Sequence, residues 1–157
     1  MEDISAKILI NAPDEKVWDT VSRVDNDPEF WQAIKKISKV SRERNVITRE
    51  VVLEGDNRCL QKIMLFPMDG VHTRWLKGPI TGVRDLILSQ RGNATVLEVQ
   101  ISYRASGITG LFSRNISKYL REEAEAALQL IKERVEGVRG PRLEQRKLWA
   151  DLFPQRN

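Results

Sequence analysis

The sequence predicts an α+β fold: a curved antiparallel sheet of about seven strands wrapped around one long C-terminal helix, with two short helices after the first strand. Three observations carry this expectation. The run ATVLEVQISYRA alternates, with Thr95, Leu97, Val99, Ile101 and Tyr103 on one face and Glu98, Gln100, Ser102 and Arg104 on the other, which describes a strand with one dry and one wet side. Strand-like runs upstream are separated only by the turn clusters Glu54-Gly55-Asp56-Asn57 and Pro67-Met68-Asp69-Gly70, and short connections imply antiparallel neighbours. Finally, LFSRNISKYLREEAEAALQLIKERVEG is uninterrupted and amphipathic, and the dry face of the sheet is the only large apolar surface that can bury its stripe.

Each element has its own signal. Ile4, Ala6, Ile8 and Ile10 form an opening strand with Ser5 and Lys7 outward, and Asn11-Ala12-Pro13 ends it. Pro13 suits a helix start, Asp14 and Glu15 suit its positive end, and Val17, Trp18 and Val21 give it an apolar side. A second short helix is expected from around Pro28 to Ile34, carrying Phe30 and Trp31. Strands follow at Asn45–Leu53, Arg58–Phe66 and Val71–Lys77. Between Thr81 and Gln90 two alternations fit equally, so either Arg84 with Leu86 and Leu88, or Asp85 with Val83 and Ile87, faces inward. After the hinge SGITG, Ser113 is the expected N-cap of the long helix and Gly137 its stop. Phe112, Ile116, Leu120, Ala124, Ala127, Leu128, Ile131 and Val135 form its buried stripe, and Arg121, Glu122, Glu125, Lys132 and Glu133 the opposite side. The alanines at the centre of the stripe mean either close packing on the sheet or space for something else.

The segments INAPDEKVWDTVSRVDNDPEFW, GPITGVRDLILSQRGNATVLEVQISY and GLFSRNISKYLREEAEAALQLIKERVEG, in this order of elements, resemble the START/Bet v 1-like (SRPBCC) superfamily. Within it they look most like the polyketide cyclase/dehydrase and coenzyme Q-binding-like branch, over about residues 3–137. The resemblance is one of pattern and carries no catalytic signature. It implies the helix-grip fold, with a cavity between sheet and closing helix that commonly takes lipids, sterols, polyketides or other apolar molecules. It also favours Arg84 and Leu86 as the inward pair, and it implies that the first half of the closing helix and the facing strand ends line the pocket. With the alternation, this makes Trp75, Arg84, Leu86, Leu97, Val99, Ile101, Tyr103, Phe112, Ile116 and Leu120 the expected ligand contacts, beside Val71 and Thr73 on the same face. A buried arginine needs a partner, and Glu50 is the candidate for Arg84 if its strand turns that side inward; the pair would then grip a ligand carboxylate or hydroxyl, which adds Glu50 to the expected ligand contacts, or be purely structural.

Composition narrows the function classes. The 157 residues, 41% of them hydrophobic, suit one domain over residues 1–137 followed by a basic amphipathic extension over 138–157. Up to Gly137 there are 21 basic and 20 acidic side chains, and beyond it 5 and 2, so the net charge of +4 resides mostly in the extension. No basic stripe with interleaved aromatics marks the domain, and no nucleic-acid partner is expected. Cys59 and His72 are the only residues of their kinds, which leaves no zinc or haem ligand set, and no metal or cofactor is expected. No apolar stretch approaches the roughly 20 residues of a membrane span, and no leader opens the chain, so the expected location is cytoplasmic. Leu143, Leu148, Trp149, Leu152 and Phe153 in the extension suit packing on the domain or a homodimer contact better than a stable membrane anchor.

Three functions fit this pattern. The first is binding of a small hydrophobic or amphipathic ligand, a lipid, quinone or polyketide-like molecule. The second is a cyclase or dehydratase using the same cavity, with Glu50, Asp85, Tyr103 and Arg84 as available groups; His72 alternates with Val71 and Thr73 and is expected to face outward. The third is a protein-interaction module. An apolar cavity favours the first, convergent titratable groups the second, and a filled core with an exposed apolar patch the third.

Overall fold

The structure, a computed structural model, describes residues 2–105 and 110–138, and of residues 110–114 the backbone alone. The chain runs β1 (Glu2–Ile10), α1 (Asp14–Val21), a 3₁₀ helix (Val24–Glu29), β2 (Ile34–Glu43), β3 (Val46–Leu53), β4 (Arg58–Phe66), β5 (Gly70–Lys77), β6 (Ile80–Arg91), β7 (Ala94–Ala105) and α2 (Gly110–Glu136). Seven strands make one sheet in the order β1-β7-β6-β5-β4-β3-β2, every neighbouring pair antiparallel. Strands β2 to β7 follow one another as a meander, and β1 closes onto β7 from the other end of the chain. This is the expected helix-grip architecture.

The register defines the inner face. One row across the sheet reads Ile47, Ile63, Thr73, Arg84, Ile101, Ile4, and the next reads Arg49, Gln61, Trp75, Gly82, Tyr103. Arg84 is therefore inward and Asp85 outward, where Asp85 meets His72 Nδ1 at 2.5 Å. α2 lies along β1 and against α1, with Ile116, Leu120, Leu128 and Ile131 buried. Ala124 and Ala127 are fully buried in the same stripe, so the alanine centre is close packing. Glu133, expected on the wet side, is buried as well.

The two edges of the sheet are finished differently. Along β1, α2 donates from Arg121 Nη1 to the Ser5 carbonyl at 3.0 Å and from Lys132 Nζ to the Leu9 carbonyl at 2.7 Å. Lys132 is held in turn by Glu136 at 2.6 Å, and Glu136 also accepts from the Asn11 backbone N–H at 2.7 Å, two contacts that hold its carboxyl below the ordinary range. The β2 edge is broken by register shifts between Ile34 and Lys36 and between Ser38 and Ser41, with Lys39 at φ 52° inside the second.

These irregularities explain the one strand that the sequence does not announce. Over Ile34–Glu43 the bulges spoil the period of two, so β2 shows no alternation. The second short helix is a 3₁₀ turn over Val24–Glu29, earlier in the chain than expected, and Phe30 and Trp31 lie just beyond its end with both N–H groups turned back to the Asp27 carbonyl. α2 begins at Gly110 rather than after Ser113.

Gly82 is what lets β6 and β7 close at the inner row. Its φ is 147°, and a Cβ there would stand 2.1 Å from the Ser102 carbonyl oxygen and 2.8 Å from Tyr103 Cα. Gly82→Ala should lower stability by about 1–3 kcal/mol for the backbone conformation alone, with more from the clash. Gly92→Ala, in the β6–β7 turn at φ 59° with nothing within 4 Å, should cost less. Urea denaturation of both variants measures the difference.

Candidate functional site

The site is built on the segment between the 3₁₀ helix and the start of β2. Arg49 rises from β3 with no exposure to solvent, and each of its three side-chain nitrogens donates one hydrogen bond: Nη2 to Asp27 Oδ2 at 2.6 Å, Nη1 to the Val24 carbonyl at 2.8 Å and Nε to Gln61 Oε1 at 3.0 Å. Asp27 in turn accepts at its backbone carbonyl from the N–H of Phe30 at 2.9 Å and of Trp31 at 2.7 Å. Burial pushes the Asp27 carboxyl up, while the Arg49 charge beside it pulls the other way. From the helix side, Glu123 Oε2 accepts the Tyr119 hydroxyl at 2.9 Å and the Ala33 backbone N–H at 3.0 Å. Residues 24–33 are thus pinned to the sheet by one buried charge and to α2 by another buried group.

That pinning sets Trp31 over Arg84. The guanidinium carbon stands 3.7 Å from the centroid of one Trp31 ring and 6.0 Å from that of Trp75, both within cation–π range. Arg84 is only 6% exposed, and among the described residues its guanidinium has no hydrogen bond and no ion pair. Burial depresses it to about 10, and it is still a cation at neutral pH.

Its donors border a cavity of about 40 Å³. Ile34, Leu53, Ile80 and Leu120 supply apolar wall, Trp31 and Trp75 aromatic wall, and Gln61, Arg84 and Glu123 the polar groups. Gln61 gives its oxygen to Arg49, which leaves its amide nitrogen as a donor. Glu123 is buried, and that burial holds its carboxyl above the ordinary value. Cys59 completes the wall with its thiol pushed up to about 12, a neutral group at physiological pH.

Of the ligand contacts expected from sequence, Trp75, Arg84 and Leu120 line this cavity. Leu86, Leu97, Val99, Ile101, Tyr103 and Ile116 are buried on the same side of the sheet but in the packed core rather than at the cavity, and Tyr103 Oη meets Ser117 Oγ at 2.6 Å. The Phe112 side chain and the segment Leu143–Phe153 lie outside the described residues. Glu50 is not the partner of Arg84: it points from the opposite face of β3 from Arg49, bound to Arg58 at 2.7 Å and Lys39 at 3.6 Å. Asp27, Trp31, Arg49, Gln61, Tyr119 and Glu123 were not singled out from the sequence as site residues. Among the described residues no group of His, Cys, Asp and Glu could hold a metal ion, and no helix is long and apolar enough to cross a membrane.

No protein-family model matches the sequence, and no curated protein matches it. Solved structures do match the fold. A protein from Thermus thermophilus superposes with a TM-score of 0.76 at 17% identity over 87% of this chain and 98% of that one. A START superfamily protein from Mycobacterium smegmatis gives 0.69 at 17% identity, over 86% and 97%. The Zhui aromatase/cyclase from Streptomyces sp. R1128 gives 0.69 at 16% identity, over 86% and 93%. The chain has the helix-grip fold of the START/Bet v 1 and polyketide cyclase-like proteins.

Two outcomes follow from the buried charges. Arg49→Met leaves the Asp27 carboxyl buried without its cation and should cost about 3–5 kcal/mol in urea denaturation, while adding Asp27→Asn should recover part of the loss. Glu123 binds its proton more tightly in the folded protein than in the unfolded chain, whose value is near 4.5. Stability should therefore fall as pH rises from about 4.5 through the raised folded-state value, with Asp27 adding a change of the same sign. Glu123→Gln, which keeps an oxygen for Tyr119 and Ala33 but has no proton to lose, should flatten that fall when melting is followed across pH 4–9.

Proposed function

We propose that this protein binds a small amphipathic ligand whose polar end enters the cavity at Arg84. The observation that carries this reading is a buried guanidinium with no hydrogen-bond acceptor among the described residues, facing a void between the sheet and α2. An unmatched buried charge costs stability, and a site that keeps one gains its acceptor on binding. The void supports the same view by its size. At about 40 Å³ it admits roughly three waters or the head of a molecule, since one water needs about 10–15 Å³. A whole drug-sized ligand needs on the order of 300 Å³ or more, so the apolar remainder extends past Trp31 or Trp75 as those walls shift.

A catalytic reading is favoured by one specific arrangement: Glu123 and Arg84 face the same void without forming an ion pair. Their shifts run in opposite directions, Glu123 upward and Arg84 downward. In an aldol cyclisation or dehydration, Arg84 would hold the carbonyl oxygen that becomes an enolate, and Glu123 would take or return the proton at the adjacent carbon. Binding stands first because it needs only what faces the void, whereas catalysis also needs a substrate carbon within reach of Glu123.

Native mass spectrometry of gently purified protein, followed by solvent extraction, tests the first reading. A stoichiometric apolar or amphipathic molecule is the expected result. Leu120→Phe, which fills the void, should weaken rebinding of that molecule about tenfold or more with the circular dichroism unchanged. An empty protein that also takes up no member of a lipid, quinone and aromatic-acid panel would sink it. Loss of turnover with retained binding in Glu123→Gln would establish the catalytic reading.

A further inference from the structure

The cavity is lined by an arginine that makes no hydrogen bond and no ion pair among the described residues. Asp27 makes its ion pair with Arg49 at 2.6 Å, so Arg84 feels the Asp27 and Glu123 carboxyls only through space. Glu123 places one oxygen on Tyr119 and Ala33 and makes no ion pair with Arg84. Gln61, 4% exposed, lines the same space and gives its oxygen to Arg49, which leaves its amide nitrogen as a donor. Because Trp31 covers a face of the Arg84 guanidinium at 3.7 Å, the N–H groups that remain lie in the guanidinium plane, the geometry of a bidentate grip on a planar acceptor.

From this juxtaposition we infer that the recess binds the carboxylate of a small planar monocarboxylic acid, aromatic or conjugated, held by Arg84 and Gln61 with its ring toward Trp75. The inference rests on the ligand-binding reading above and names the class of ligand. Size is compatible with it: a void of about 40 Å³ takes a group as small as a few water molecules, and a carboxylate is of that size. Charge supports it as well. Arg84 is a cation at neutral pH while burial shifts Glu123 toward its neutral form, so an anion entering the recess meets a net positive site. Trp75 is partly exposed while Trp31 is buried, so the aromatic wall opens on the Trp75 side, where an unsaturated ring finds an indole to stack on. Ile80 and Leu53 keep that path apolar.

Titration of ¹⁵N-labelled protein with benzoate and with benzamide, its neutral isostere, tests the assignment on the unmodified chain. Benzoate should shift the indole N–H signals of Trp31 and Trp75 saturably and leave that of Trp18 in place, binding about tenfold or more tighter than benzamide, since a site built for a charged acceptor rejects the analogue that lacks it. In Arg84→Met, which replaces an unpaired buried charge by an apolar chain of similar length, the two probes should bind within about twofold of each other. Equal affinity of the unmodified protein for both probes would overturn the carboxylate assignment and leave ligand binding standing. No saturable shift with either probe would overturn the carboxylate assignment; a protein that is also empty by mass spectrometry would remove the ligand-binding reading with it.

Discussion

The ion pair between Arg49 and Asp27 is the constraint on which the site depends. Buried pairs roughly break even against apolar replacements of the same volume, because desolvation offsets attraction, so the pair adds little net stability by itself. What it contributes is position. Arg49 sits in mid-strand, reaches the 3₁₀ helix at both Val24 and Asp27, and is braced by Gln61 on the neighbouring strand. Asp27 then fixes the backbone N–H of Trp31, and Trp31 is the ring that lies on Arg84. A chain of contacts thus connects the middle of the sheet to the orientation of one guanidinium.

The same segment is held from above by Glu123, and the two anchors differ in kind. Arg49 carries a fixed charge at any physiological pH, whereas Glu123 is a carboxyl whose burial makes the neutral form easier to reach. The wall of the cavity therefore hangs between a fixed cation with Asp27 beside it and a second carboxyl, and burial shifts both carboxyls toward the neutral form. On the proposed binding reading, an acceptor brought to Arg84 would stand beside that second group, and occupancy of the recess would then be coupled to protonation of Glu123.

Much of the fold is legible in the sequence because its signals are local. The alternation of β7, the stripe of α2 and the turn clusters between strands each depend on a few consecutive residues, and all survive folding unchanged. Strand β2 is not legible, because its two bulges break the period on which strand reading rests. The site is harder. Arg84 is found because the family pattern chooses between two equal alternations, but its surroundings come from distant parts of the chain. Arg49 does leave a trace: it falls in phase with Ile47, Val51 and Leu53, all buried, and a charge in an apolar phase implies a buried partner. Asp27 leaves none, since VDNDPE reads like any acidic surface turn. Glu123 leaves a trace as well, three residues after Leu120 and four before Ala127 at the border of the buried stripe, while Glu122 falls on the opposite side of the helix. Glu50 illustrates the opposite error: the right residue type for a partner of Arg84, on the wrong side of its strand.

The unequal finish of the sheet's edges bears on how these molecules behave in a crowd. An open sheet offers unpaired backbone groups at each side, and another copy of the chain could in principle add its own strand there. At β1 the carbonyls of Ser5 and Leu9 are occupied by side chains of α2, so an incoming strand would first have to displace a helix that is part of the core. At β2 the ladder is interrupted twice and the rim carries Lys35, Lys36, Lys39, Arg42 and Arg44, so no long straight row of donors and acceptors is presented and the approach of an identical rim is repelled. One edge is guarded by occupancy and the other by irregularity and charge, and together they oppose strand-by-strand growth of a half-open sheet.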